Sequence, residues 1–383
     1  MTFLFLLVAA GIQTPAANSF CRPTPRLLAP AIALRRALPE VVKAEAAADI
    51  DKKFRRTEGW IGADGAFSVR VSDTRTLWLF SDTWIGKIED GKRKPETIVN
   101  NTVGIQDGRG ADAKITYTIQ KGADGKSKAI FVPPDGEGWF WLFAGHFADG
   151  KLHVFLPRLE KTKGGGAFGF RGIDVWLGTV SNPMDDPTKW KIEYKKLPFA
   201  DLTGEKKRSF GAAVYRDDKH VYIYGHEEAR GRPFPTRKLL VARAPVEKLA
   251  DFDSWRFYSS GEWKADVKDA TPQVGGLGSA LSVVLVEGLK KYALVYSENG
   301  LSDRIVGRFA DAPEGPWSEP VLLYTCPEMK KDKKTFSYAG KAHAHLAGEN
   351  ELVVSYAVNS FELAPVVNNA ELYWPTFVRV KLK

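Results

Sequence analysis

Residues 60–86 read WIGADGAFSVRVSDTRTLWLFSDTWIG, and the fold is decided here. Two runs rich in β-branched and aromatic residues, Ala66–Val71 and Thr76–Ser81, flank the turn signal Ser72-Asp73-Thr74-Arg75. The pattern predicts an antiparallel hairpin. With the turn centred between 73 and 74, facing residues have numbers summing to 147, so Asp64 faces Thr83 and Gly65 faces Asp82. The two carboxylates would then sit diagonally across one strand pair, about 5–8 Å apart. That range overlaps the separations at which paired carboxylates hydrolyse a glycosidic bond. Each could equally be a turn aspartate bonded to its own backbone. Spacing alone leaves both readings open.

Working outward, the same unit recurs. Strands of similar character are expected at Thr76–Phe80, Gly138–Phe143, Lys219–Gly225, Lys290–Tyr296 and Asn350–Ala357. Each has a neighbour upstream, at Ala66–Val71, Lys128–Val132, Gly211–Arg216, Leu281–Val286 and Lys341–Leu346. Further strands are expected at Ile173–Val180, Lys238–Arg243, Arg304–Phe309 and Thr376–Leu382. Five units at a spacing of roughly 60–80 residues point to a radial array of sheets rather than a sandwich. The expected fold is all-β, a five-bladed β-propeller. The one helix candidate is the Ala/Glu-rich stretch Leu38–Ala48, and Asp51–Trp60 is expected to return to the sheet and close the ring. Closure matters because an open sheet edge invites aggregation.

Composition agrees with a turn-rich globular chain. Of 383 residues, 44% are hydrophobic and 12% aromatic, with 35 Gly and 22 Pro. The net charge of +9 is spread over loop clusters such as Lys330-Lys331 and Lys333-Lys334. Such a surface suits an acidic polysaccharide or an anionic envelope. No nucleic-acid-binding signature accompanies it, so nucleic acid is not an expected partner. The opening run Phe3–Ala10, followed by small residues, reads as a secretory signal peptide over 1–17, with a leader over 18–55 and the propeller over 56–383. That run is too short to span a bilayer, so a secreted or periplasmic monomer without a transmembrane segment is expected. Two cysteines, Cys21 and Cys326, make at most one disulfide and no zinc site. No cofactor and no metal is expected. Gly276-Leu277-Gly278-Ser279-Ala280 has the wrong order for a nucleophile elbow, and Gly164-Gly165-Gly166 is a flexible loop rather than a phosphate cradle.

Several longer motifs carry a resemblance. GWIGADGAFSV, LWLFSDTWIG, NNTVGIQ, RSFGAAVY, YAGKAHAHL, SYAVNS and YWPTFVRVKL resemble the five-bladed propeller proteins of the domain of unknown function 4185 and its sister family 5005. These lie in the neighbourhood of glycoside hydrolase family 43, and APEGPWSEP (312–320) resembles a blade linker of such glycosidases. The resemblance covers about Arg56–Leu382. It implies a secreted glycoside hydrolase of inverting type, similar to endo-D-arabinanases, acting on an arabinose-containing or related polysaccharide. The catalytic aspartates of those relatives match Asp64 in Gly62-Ala63-Asp64-Gly65 and Asp82 in Ser81-Asp82-Thr83, although Ser81 stands where Gly is usual. Hydrolysis needs both, because one proton must reach the leaving oxygen while another leaves the attacking water. A non-catalytic glycan-binding propeller of the cell envelope is the alternative, and a polysaccharide lyase a third.

Other candidates follow from position. Asn100 and Asn101 would lie beyond Asp82 and bind sugar hydroxyls or the acids; Arg208 could hold a carboxylate or sugar oxygen. His343 shares a strand face with His345, and the resemblance implies a place for it near the central channel, against substrate or a channel ion. Asn359 ends the fifth marker strand as a sugar contact, while Glu227, Glu228 and Glu298 end others as rival acids. Trp60, Trp84 and Trp374 flank the rim as stacking surfaces for sugar rings; Trp78, Trp141 and Trp176 read as core.

Overall fold

The computed structural model describes residues 38–163, 169–231 and 235–383. The hairpin that opened the sequence reading forms, but one residue out of the expected register. Val71 N–H donates to the Arg75 carbonyl, and Ser72 Oγ accepts from the Thr74 and Arg75 amides, so the turn centres on Asp73. Phe67 therefore faces Leu79 and Arg70 faces Thr76. The serine hydroxyl tightens the turn by capping two amides, which sequence spacing does not reveal.

Every major sheet is antiparallel. The first runs Phe67–Arg70, Arg75–Phe80, Thr102–Asp107 and Lys114–Thr118 in order. In the second, Trp139–Phe140 and Gly145–Ala148 both pair with Lys151–Lys161, followed by Phe170–Val180 and Ile192–Lys196. The third holds Lys207–Arg216, His220–Ala229, Thr236–Pro245, Arg256–Ser259 and Glu262–Lys264. The fourth holds Leu281–Val286, Lys291–Ser297, Arg304–Ala310 and Val321–Thr325. The fifth orders Val41–Ala46, Pro375–Leu382, Glu351–Ser360 and Thr335–Ala342, so its outer strand comes from the start of the described chain. A three-stranded sheet (Glu58–Ala63, Thr83–Glu89, Lys92–Val99) extends the first hairpin, and Gln120–Lys121 pairs with Ser127–Lys128.

The hydrophobic cores lie between sheets. Leu79 and Val154 meet between the first and second, Phe155 and Phe210 between the second and third, and Tyr224 and Leu294 between the third and fourth. Val295 and Val354 join the fourth to the fifth, and Trp78 with Phe377 joins the fifth back to the first. Burial of these apolar faces, at about 25 cal/mol per Å², is the main force holding the sheets together.

Three expectations are corrected. Val41–Ala46 is a strand and Ala48–Phe54 a helix, the reverse of the sequence reading. Pairing with Pro375–Leu382 overrides the helical propensity of VVKAEA, whereas Ile50 and Phe54, one turn apart, bury together. Residues 38–55, expected as leader, thus belong to the compact unit Leu38–Lys383. In the second sheet the long inner strand is Lys151–Lys161; Gly138–Phe143 is its irregular neighbour, and Lys128–Val132 contributes only Lys128 to the small hairpin. The strand expected at Lys341–Leu346 instead runs Thr335–Ala342, and Ala344–Leu346 forms a 3-10 turn. The signal segment, Cys21 and Gly164–Gly166 lie outside the described residues; Cys326 is fully buried. Among the described residues no helix is long and apolar enough to cross a membrane.

Candidate functional site

The first hairpin continues past its own sheet, and the aspartates sit at the break. Beyond Phe67 and Phe80 the chain segments pair again as Glu58–Ala63 with Thr83–Glu89, with Ala63 opposite Thr83. Between the two paired regions Asp64 N–H donates to the Asp82 carbonyl at 3.3 Å, and Ser81 N–H to the Asp64 carbonyl at 3.1 Å. Asp64 and Asp82 therefore face each other directly, not diagonally. The break is made by two left-handed residues, Gly65 (φ +87°) and Ala66 (φ +54°). A side chain at 65 would be strained there and would press on Ser81 N at 3.1 Å, so glycine is the residue that fits.

Each carboxylate is held by side chains, not by backbone amides. Asp82 Oδ1 accepts from Trp141 Nε1 at 3.0 Å and Asn100 Nδ2 at 3.2 Å. Asp64 Oδ2 accepts from Tyr338 Oη at 3.1 Å, and Asp64 Oδ1 is buried without a partner. Tyr373 Oη donates to the Asp82 carbonyl at 3.2 Å. Burial pushes Asp64 up to about 7, with a further push from the Asp82 charge. Burial also raises Asp82, opposed by the hydrogen bonds from Trp141 and Asn100. The two acids thus have unlike surroundings: one orphaned oxygen and one doubly held.

Both line a cavity of about 620 Å³. Its wall is aromatic: Phe67 and Trp84 from the first hairpin and its extension, Trp141 and Phe143 beside the second sheet, Phe336 and Tyr338 from the fifth. Arg237 reaches in from the third sheet, Asn359 and Glu362 from the end of the fifth. Such a lining, flat rings with a few polar groups, is what a sugar-sized ligand requires.

Of the sequence candidates, Asp64, Asp82, Trp84 and Asn359 gather here, and Asn100 joins through Asp82. The others do not. Trp60 is 1% exposed, its ring stacked on Tyr117 at 4.2 Å and its Nε1 donating to Thr102 Oγ1, so it is core. Trp374 is core as well, under the guanidinium groups of Arg55 and Arg93. Asn101 is fully buried, bracketing the Phe131 and Phe140 backbones with three hydrogen bonds. Arg208 is tied to Glu227 at 3.0 Å and lies away from the cavity. Glu228 is bound to Arg237 at 2.6 Å, and Glu298 to Arg304 at 2.7 Å, so all three rival acids are spent in ion pairs. His343 lines a different cavity, of about 550 Å³, with Ser68 and Ser282.

Sequence reasoning missed Tyr338, Lys341 and Tyr373, and took Trp141 for core. Tyr338 and Lys341 stand in YAGKAHAHL, where a lysine in a run of small residues and histidines was the available signal. Among the described residues no three His, Cys, Asp or Glu side chains converge as a metal site.

With this geometry in place, comparison with known proteins is informative. No curated protein matches the chain. It is similar to the crystal structure of a candidate hydrolase from Bacteroides ovatus ATCC 8483, at 18% identity and a TM-score of 0.69, over 88% of this chain and 90% of that one. At that identity the likeness speaks for the fold alone. Weaker likenesses include an α-L-arabinanase from Cellvibrio cellulosa (12% identity, TM-score 0.47, 83% and 90% covered). Another is the GH43_1 enzyme from Xanthomonas citri, solved with xylose (14%, 0.44, 87% and 92%). The model of the domain of unknown function DUF5005 matches residues 48–382, nearly the whole described chain, and the protein belongs to that family.

Proposed function

We propose that this chain is an exported glycoside hydrolase of inverting type, built as a five-bladed β-propeller and acting on an arabinose-containing or related polysaccharide. One observation carries the reading: two half-buried aspartates face each other across a broken hairpin, at the wall of an aromatic cavity, with no backbone amide among the described residues neutralising either carboxylate. The propeller is supported by the ring of cores, each lying between neighbouring sheets and the last joining the fifth to the first. The pairing of Val41–Ala46 with Pro375–Leu382, which brings the start of the described chain into the last sheet, supports the same reading.

The roles follow from the surroundings. Asp64, destabilised as a carboxylate, carries the proton and acts as general acid toward the leaving oxygen. Asp82, held by two donors, is the better carboxylate and acts as base toward water. Trp84 and the neighbouring rings stack on the sugar, and Asn359 reads a hydroxyl. Reducing-end release from a panel of plant, microbial and mycobacterial-type polysaccharides tests the proposal, with proton NMR of the first product. Release with inverted anomeric configuration is expected. Saturable binding without any release would favour the glycan-binding alternative, and ultraviolet-absorbing unsaturated products a lyase.

A further inference from the structure

Lys341 is 2% exposed, yet no carboxylate among the described residues lies within ion-pair distance of it. Its ammonium donates to two carbonyls, Gly65 O on the first hairpin and Ala339 O on the fifth sheet, and sits 4.8 Å over the Phe67 ring. Both carbonyls belong to irregular backbone. Gly65 lies between Asp64 and left-handed Ala66, and Ala339 (φ +58°) is itself left-handed, at the register shift between Tyr338 and Lys341. Left-handed alanines are strained and persist only where surroundings hold them. The same two irregularities present Asp64 and its donor Tyr338 to one another.

We propose that Lys341 is a positioning residue that clamps the Asp64 turn to the Tyr338 strand and supplies the positive charge acting on the Asp64 carboxyl. The inference rests on Asp64 being the proposed acid, but its geometry stands without that role. Lys341 itself lines the cavity of about 550 Å³, together with the charged or titratable Arg70, Arg216, Glu287, His343 and His345. Asp64 is acted on by Asp82, Tyr338 and Tyr373 as well as Lys341. Lys341 has Asp64 as its charge partner, His343 follows it on the same segment and is kept neutral by burial, and the strand opposite offers Ser355. Burial holds the Lys341 ammonium down to about 7, so its charge changes in the range where Asp64 titrates. The sign is fixed: protonated Lys341 favours ionised Asp64, and loss of that charge keeps the Asp64 proton on to higher pH.

Carbon-13 NMR of the aspartate carboxyls in full-length protein, free of any glycan, reads this directly. In Lys341→Met, and in Lys341→Gln, which keeps a donor but no charge, the Asp64 midpoint should rise by about one pH unit. In the wild type the Asp64 carboxyl and Lys341 Cε traces should each show the other's inflection, a readout available even if neither variant folds. An unchanged Asp64 midpoint in a folded variant, or wild-type traces blind to one another, overturns the proposal. Where the wild type hydrolyses a glycan, the alkaline limb of its kcat/KM profile should move up in both variants. Failure to find any substrate bears on the hydrolase reading, and the titration decides the role of Lys341 regardless.

Discussion

His343 and Asp64 each line a cavity, and both read from sequence as site residues, but the fold treats them oppositely. His343 is 2% exposed, with Nδ1 at 2.7 Å from Ser68 Oγ and Nε2 at 2.7 Å from Ser355 Oγ. Trp78 and Phe377 pack on its ring, so first and fifth sheets meet through it. Every polar atom of that side chain is used. Asp64, half-buried, keeps one buried oxygen without a partner and is pushed toward its neutral form by desolvation and then by a second aspartate. Satisfied burial stabilises a fold, whereas unsatisfied burial stores free energy that chemistry can use. By that criterion His343 serves as a structural pin, and the aspartate pair is where the proposal places the chemistry.

The comparison can be broken in several ways. The largest stability effect is expected at the pin. His343→Ala removes a packed ring and orphans two hydroxyls, and should lower unfolding free energy by about 2–4 kcal/mol in denaturant titrations. Turnover per folded molecule should hold; a loss of turnover at full stability would move His343 into the site. Next comes Asp64→Asn, which should stabilise the fold at pH 7 by about 1–3 kcal/mol. A carboxyl raised from its ordinary value to about 7 favours folding while protonated, and that contribution fades as pH climbs from about 4 through 7. Wild-type melting temperature should therefore fall across that window and flatten in the variant; parallel curves would show Asp64 to be an ordinary carboxylate.

Smaller still is Trp141→Phe, which keeps a ring in the cavity but removes the donor to Asp82. Bonds to charged groups are worth roughly 1.5–3 kcal/mol, so about a tenfold loss of turnover at neutral pH is expected, with the acid limb of the pH profile moved upward. An unchanged acid limb would remove Asp82 from the base role. Arg208→Ala, at an ion pair away from the cavity, should change turnover less than about twofold.

Much of the fold was legible because a strand buried on both faces reads as a short, near-continuous run of apolar and β-branched residues bounded by turn signals. Leu281–Val286 and Arg304–Ala310 were read nearly to the residue for that reason. Val41–Ala46 was not, because its strand state depends on a partner strand more than 330 positions away, beyond any local signal. At the site, Asp64 and Asp82 were found by their place on one hairpin, and the one-residue register error came from a serine cap that favours a turn centred on Asp73. Trp141 and Tyr338 were missed because apolar strand residues and cavity-wall residues share one composition. Only the third dimension tells which ring has its polar edge on a carboxylate. Arg208 and Trp60 erred the other way, since a residue near a motif in sequence need not face the same space.

The most direct test compares wild type, Asp64→Asn and Asp82→Asn for both turnover and binding on whichever polysaccharide the wild type cleaves. The account predicts that each variant loses at least ~10²-fold in kcat while binding the glycan as well as the wild type does. Undiminished turnover in both folded variants would contradict it.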